Sequence, residues 1–180
     1  MQDFRSWSLA AIRDEGVGMS WMEQRLSEWA PLLATRLSYL LQGRAFIIIT
    51  DREREWFEKY FLSHINPLPA TRPMLPFFSL RALYPRFDEI SVKEQSDLLE
   101  DMLSITFANG FVYFYIGKSS DTRAALAKSS DMSYMWLFDE QSQNGFYLNS
   151  SDERLDNKLV SLFKLFSKSV DAVLLAKASV

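Results

Sequence analysis

The sequence has no cysteine and a single histidine, His64. Without cysteine, the chain can form no disulfide framework, thiolate metal site or cysteine nucleophile. A lone histidine is a poor set of metal ligands, so we expect no metal site and place His64 at a helix end, where the helix dipole favours a positive charge. Zinc, nucleophile-elbow and dinucleotide motifs are also missing from the sequence. We therefore expect no catalytic residues and no cofactor.

Long hydrophobic runs and an excess of positive charge are missing too. No apolar run approaches the roughly 20 residues that a membrane span requires, and the N-terminus lacks the pattern of a signal peptide. We expect a cytoplasmic protein without a membrane partner. The 20 basic residues are outnumbered by 23 acidic ones, for a net charge of -3. Nucleic-acid binding needs a basic surface, so we expect no direct nucleic-acid partner.

What the chain does contain is a large apolar fraction in alternating strand and helix patterns. Of 180 residues, 48% are hydrophobic and 14% aromatic, which suffices for a sizeable core. Five apolar runs have strand character: Arg44–Thr50, Phe77–Leu80, Phe111–Ile116, Tyr134–Phe138 and Phe146–Leu148. The pattern predicts one α/β domain over residues 1–180. We expect a three-layer, Rossmann-like fold with a mostly parallel sheet of about five strands and two extra N-terminal helices.

The predicted helices carry recognisable start and stop signals. The second helix is predicted from Ser20 to Gln42, with a kink or break at Pro31. Ser20 with Glu23, and Ser91 with Glu94, have the spacing of capping boxes.

Two turns after predicted strands could hold an anion. Gly117-Lys118-Ser119 suggests a phosphate-binding loop, but the required second glycine is replaced by Val112. The hydroxyl-rich turn from Ser119 to Thr122 resembles the phosphosugar-binding turn of sugar isomerase (SIS) domains, although a simple helix cap explains it better. The alternating charges of Asp51–Glu55 suit a solvated helix start and would oppose phosphate. A phosphosugar-binding or isomerase domain nevertheless stays open as the alternative function.

Several stretches together resemble the HobA family across essentially the whole chain. They are Trp56–Phe57 to Asn66–Pro67, Arg72–Pro73, Tyr84–Pro85, Trp136–Glu140, Leu155–Leu159 and Leu162–Phe166. The resemblance implies an SIS-like α/β fold and assembly into homotetramers. It also implies binding to the N-terminal part of the initiator DnaA, and a non-enzymatic role in assembling DnaA at the origin, similar to that of DiaA.

The docking residues are predicted from chemistry, because protein hot spots favour aromatic and arginine side chains on a firm framework. The loop after the second strand offers such a set at the carboxyl ends of the strands, where open α/β sheets commonly bind ligands. The predicted partner-binding residues are Arg81, Leu83, Tyr84, Arg86 and Phe87, with Trp21 as the alternative location. Leu83, Tyr84 and Phe87 could instead fold back onto the core.

Overall fold

Strands and helices alternate along the chain, as the apolar runs and amphipathic stretches of the sequence predict. The computed structural model describes residues 2–70 and 72–180. The strands are β1 (Gln2–Asp3), β2 (Ala45–Thr50), β3 (Phe77–Ser79), β4 (Phe111–Lys118), β5 (Tyr134–Phe138), β6 (Gly145–Leu148) and β7 (Ala178–Ser179). The helices are α1 (Phe4–Asp14), α2 (Ser20–Glu23), α3 (Leu26–Leu41), α4 (Glu55–Ile65), α5 (Leu80–Leu83), α6 (Lys93–Thr106), α7 (Ala124–Lys128) and α8 (Leu155–Leu174).

These elements belong to two compact units. One unit comprises the residues up to Leu41 together with Ser151–Val180, and the other is the continuous segment Gln42–Ser150. A single domain over residues 1–180 stays a prediction, which one cooperative unfolding transition would support.

The continuous unit contains a five-stranded sheet in which all neighbouring strands are parallel. The strand order is β3-β2-β4-β5-β6. Strand β2 is fully buried, in keeping with its run of apolar residues, because helices cover both faces of such a sheet. The chain continues from β2 to β3 on one side and later returns to β4 on the other. The topological switch point therefore lies between the carboxyl ends of β2 and β4.

The two faces of this sheet have different cores. On one face, Ile47, Ile49, Tyr113 and Tyr115 share a core with side chains of α6 and α7. On the other face, α4 packs through aromatic rings. The ring centroid of Phe57 lies 6.0 Å from that of Trp136, and that of Phe61 lies 5.5 Å from that of Phe114. Helices on both faces confirm the predicted three layers.

The other unit is helical. Helices α1, α3 and α8 contact one another, and β1 pairs in parallel with β7. Asp3 caps α1 by accepting a hydrogen bond from the Ser6 amide at 3.0 Å. The apolar stripes of α3 and α8 are buried, as their spacing predicts. Helices α1 and α3 precede the first strand of the main sheet, which confirms the two additional N-terminal helices.

Three local predictions are wrong. Helix α3 runs through Pro31, and the break lies at residues 24–25 instead. Trp29 and Leu33, both 0% exposed, bury the helix on either side of the proline, so packing outweighs one lost backbone hydrogen bond. Neither capping box forms.

Other side chains explain both failures. The Ser20 hydroxyl donates to the Val17 carbonyl at 2.9 Å. At the start of α6, Gln95 accepts the hydrogen bond of the Ser91 amide at 2.9 Å, so this residue does what was predicted for Glu94.

Candidate functional site

The segment after β3 carries five of the six residues predicted to bind a partner. It consists of α5, a turn at residues 84–86 and a 3-10 turn from Phe87 to Glu89. The side chains of Arg81 and Arg86 are 41% and 72% exposed, and Tyr84 is 37% exposed. These three residues can therefore be reached from solvent within this unit.

Phe87 and Leu83 face the core instead. Phe87 is 5% exposed, and Leu83 packs partly buried against the same core. The guanidinium carbons of Arg81 and Arg123 lie 5.2 and 5.3 Å from the Phe87 ring centroid. Such cation–π contacts contribute about 0.5–2 kcal/mol and favour the inward position of the ring. The expectation that Phe87 is an exposed contact residue is wrong.

Arg123 connects this segment to the carboxyl edge of the sheet. Its side chain is 4% exposed and donates to both Asp88 oxygens at 2.6 and 2.8 Å. It also donates to a Glu55 oxygen at 3.0 Å and to the Thr50 carbonyl at 3.1 Å. Burial alone would lower the pKa of Arg123, but the carboxylates of Asp88 and Glu55 outweigh it and raise the pKa. Arg81 donates to the same Glu55 oxygen at 2.7 Å, so both arginines hold the segment to the sheet.

Asp51 fills the switch point where sheets of this class commonly bind ligands. It is 2% exposed, and its carboxylate accepts hydrogen bonds from the Lys118 amide at 2.7 Å and the Arg54 amide at 2.9 Å. Burial raises the pKa of this carboxyl despite these hydrogen bonds. At Gly117 a Cβ atom would lie 2.6 Å from an Asp51 oxygen, so only glycine permits the approach. A carboxylate thus occupies the switch point, where an incoming anion would meet a like charge.

Three amides at the hydroxyl-rich turn beside Asp51 are already hydrogen-bonded within the protein. The Ser119 amide donates to the Phe138 carbonyl at 3.0 Å, and the Asp121 amide donates to the Lys118 carbonyl at 3.2 Å. The Arg123 amide donates to the Asp121 carboxylate at 2.9 Å. The amides of Ser119, Asp121 and Arg123 are therefore not available to hold an anion, and the Asp121 carboxylate closes a turn just before α7.

Trp21 belongs to the helical unit, so it is not part of the segment after β3. It is half-buried on α2, and the Lys158 ammonium lies 4.6 Å from its ring centroid. Trp21, Arg154 and Lys158 line an open groove of about 490 Å³ in that unit. The groove stays available as the alternative docking location.

No metal centre is evident in the described parts of the chain. His64 lies in the last turn of α4, as expected, and its ring stacks on Tyr60 with centroids 4.2 Å apart. Residues 2–70 and 72–180 contain no group of three or more potential metal-ligating side chains. None of the helices formed by these residues is both long and apolar enough to span a bilayer.

Sequence reasoning missed a row of exposed apolar side chains on α6. Leu98 is 69% exposed and Ile105 is 85% exposed, with Met102 half-buried between them. Leu99 and Leu103 form the buried row of the same helix. The sequence could have indicated this surface, because a helix that packs on a sheet needs only one apolar row and α6 has two.

Comparison with known proteins identifies the family. A family model described as HobA, DNA replication regulator, matches residues 1–180. The chain belongs to the HobA family. It is similar to the DNA replication regulator protein HobA of Helicobacter pylori, with 30% identity over 187 aligned residues that cover 99% of each sequence. The family resemblance seen in the sequence is thereby confirmed.

Solved structures support the same relationship. The chain resembles the HobA chain of a Helicobacter pylori HobA–DnaA (domain I-II) complex with a TM-score of 0.74, 30% identity and full coverage of both chains. A second HobA structure from that organism gives a TM-score of 0.74 at 28% identity, covering 100% of this chain and 99% of that one. A phosphoheptose isomerase from Francisella tularensis matches with a TM-score of 0.52 at 12% identity, covering 80% and 85% of the chains. The isomerase likeness confirms the SIS-like fold alone.

Proposed function

We propose that this regulator binds the N-terminal domains of DnaA and organises the assembly of the initiator at the origin without catalysing a reaction. The observation that carries the proposal is the full-length match to a HobA chain in complex with DnaA domains I and II. The proposal includes a homotetramer in the cytoplasm, with no nucleic acid or membrane bound directly. The net charge of -3 supports the exclusion of nucleic acid.

The accessible residues after β3 are the proposed docking site. Tyr84, Arg81 and Arg86 are of the residue types that dominate protein hot spots, and Leu83 borders them. The bonds from Arg123 to Asp88 hold this segment in place, which lowers the entropy lost on binding.

The buried Asp51 carboxylate argues against the alternative of a phosphosugar-binding or isomerase domain. A phosphate placed beside it would meet a like charge and would need the amides that Asp51 already engages. We expect no rise in melting temperature when sugar phosphates are added. A clear dose-dependent rise would favour the alternative.

The docking site is tested by exchanging Tyr84→Ala together with Arg86→Ala and titrating the variant with DnaA domains I–II from the same organism. Both side chains are exposed, so the fold should persist. We expect affinity to fall by about thirtyfold or more, which corresponds to about 2 kcal/mol. The matched control is Lys59→Ala with Leu68→Ala, two exposed residues outside the segment, which should bind normally.

Two results would contradict the proposal. If the unmodified protein does not bind DnaA domains I–II, the proposed function is wrong. If the unmodified protein binds but the double variant binds equally well, the site lies elsewhere and Trp21 is the next residue to test. Light scattering tests the tetramer, because a mass near 20.9 kDa would show a monomer.

A further inference from the structure

A groove of about 300 Å³ lies between α6 and the segment that follows α5. Tyr84 and Arg86 line it, together with apolar side chains of Ile90, Leu98 and Met102. The volume is at the lower end of the about 300–1,000 Å³ range of ligand pockets, so it can take one or two side chains. The proposed docking residues therefore continue into an apolar recess.

The exposed row of α6 extends this recess along the helix. Leu98, Met102 and Ile105 follow one another at steps of four and three residues, so they cover two turns, or about 10 Å of helix. Covering such a row removes apolar surface from water, which favours binding. A partner helix can pack apolar side chains of the same spacing against a surface of this kind.

Acidic side chains flank this row. Glu94 lies one helical turn before Leu98, and Asp101 lies one turn before Ile105. Both acids are exposed, and neither forms an ion pair within the described residues. Lys93, the only cation on α6, is engaged with Asp97 at 2.8 Å. The apolar row is therefore bordered by uncompensated negative charge.

We infer that this groove and the exposed row of α6 are the docking site for a basic amphipathic helix, which, resting on the proposed function, belongs to the N-terminal region of DnaA. Lysine or arginine beside the apolar face of such a helix would meet Glu94 and Asp101. A second copy of this face does not fit, because a symmetric pair would bring the same acids together. The acidic flank thus selects the partner as well as attracting it.

The first test replaces the two most exposed residues of the row, Leu98→Ala with Ile105→Ala. We expect binding of DnaA domains I–II to weaken at least tenfold with an unchanged melting temperature. The matched control is Leu68→Ala with Met74→Ala, which removes residues that are 79% and 64% exposed outside the groove. Charge reversal by Glu94→Lys with Asp101→Lys should weaken binding at least tenfold and reduce its dependence on salt.

A second probe makes the inference independent of DnaA. A synthetic amphipathic peptide of leucine and lysine should shift the methyl resonances of Leu98, Met102 and Ile105, whereas a peptide of leucine and glutamate should not. If DnaA does not bind but the lysine peptide binds here, the proposed function is wrong and the docking chemistry stands. If DnaA binds equally to the Leu98→Ala, Ile105→Ala variant, the inference is overturned while the function stands.

Two further outcomes overturn the inference. One is equal binding of the lysine and glutamate peptides, because the acidic flank would then have no influence. The other is a lower mass of the Leu98→Ala, Ile105→Ala variant in light scattering, because the row would then be covered by a second copy of the chain.

Discussion

The carboxyl edge of the sheet and the groove beside α6 belong to the same unit but differ in how far their side chains are buried and hydrogen-bonded. At the edge, Asp51 and Arg123 are buried and hydrogen-bonded by their neighbours. Beside α6, Leu98 and Ile105 remain in water. A region whose polar groups are satisfied internally offers little to a ligand, whereas uncovered apolar surface gains from being covered. The switch point, where sheets of this class commonly bind ligands, is filled by structural contacts here, whereas the proposed docking surface is a helix face.

The largest effect should come from removing the cation that holds the carboxyl edge of the sheet to the segment after β3. Arg123→Ala leaves Asp88 and Glu55 without this partner, and breaking a buried pair costs about 3–5 kcal/mol. Because these carboxylates are 28% and 40% exposed, water compensates in part, and we expect about 2–3 kcal/mol. Urea denaturation measures the loss of unfolding free energy.

The exposed pair of Lys93 and Asp97 provides the control for this comparison. Their side chains are 82% and 52% exposed, so Lys93→Ala should leave the free energy of unfolding almost unchanged. A similarly small cost for Arg123→Ala would show that the edge is not held by its ion pairs.

A smaller effect is expected where the edge is most crowded. Gly117→Ala should destabilise the protein by about 2 kcal/mol, because the new methyl group would overlap the Asp51 carboxylate. In an Asp51→Ala background the same change should cost at least about 1 kcal/mol less, since the obstacle is gone. Denaturation of all four members of the cycle measures this coupling, and equal costs in both backgrounds would refute the close approach.

The smallest effects distinguish two buried tyrosines of β4. The Tyr115 hydroxyl donates to the Lys118 carbonyl at 2.7 Å, so Tyr115→Phe should cost about 1 kcal/mol. The Tyr113 hydroxyl is buried and has no hydrogen-bond partner in the described part of the chain. Tyr113→Phe should therefore be neutral or slightly stabilising. Thermal unfolding of both variants tests the contrast, and a larger loss for Tyr113→Phe would contradict it.

The sheet could be predicted because its signal is local. Apolar runs bounded by turns locate all five strands, and Tyr134–Phe138 has the predicted bounds. The break predicted at Pro31 was wrong because the position of a helix break depends on burial by distant residues, which a local rule does not include. Gln95 replaced Glu94 as the capping side chain for a similar reason, because α6 begins at Lys93.

The candidate site was predicted only in part. The sequence indicated the segment after β3, whose role in docking stays a prediction. It could not show that Arg81 and Arg123 contact the Phe87 ring, since they reach that ring from different elements. The charged turn after β2 indicated that phosphate would be opposed at the switch point, which stays a prediction. The spacing of apolar residues on α6 indicates two apolar rows. It does not show which row is exposed, because that depends on which of the two packs against the sheet.

One unit is a continuous segment and the other combines the two ends of the chain, which affects folding during synthesis on the ribosome. The segment Gln42–Ser150 has all its strands available before α8 is translated. Helices α1 and α3, although made first, contact α8 and cannot finish their bundle until the last part of the chain emerges. The apolar surfaces that pack against α8 therefore stay uncovered while more than half of the protein is being made, and such surfaces favour aggregation or chaperone binding. The helices that are synthesised first are thus the last to complete their packing.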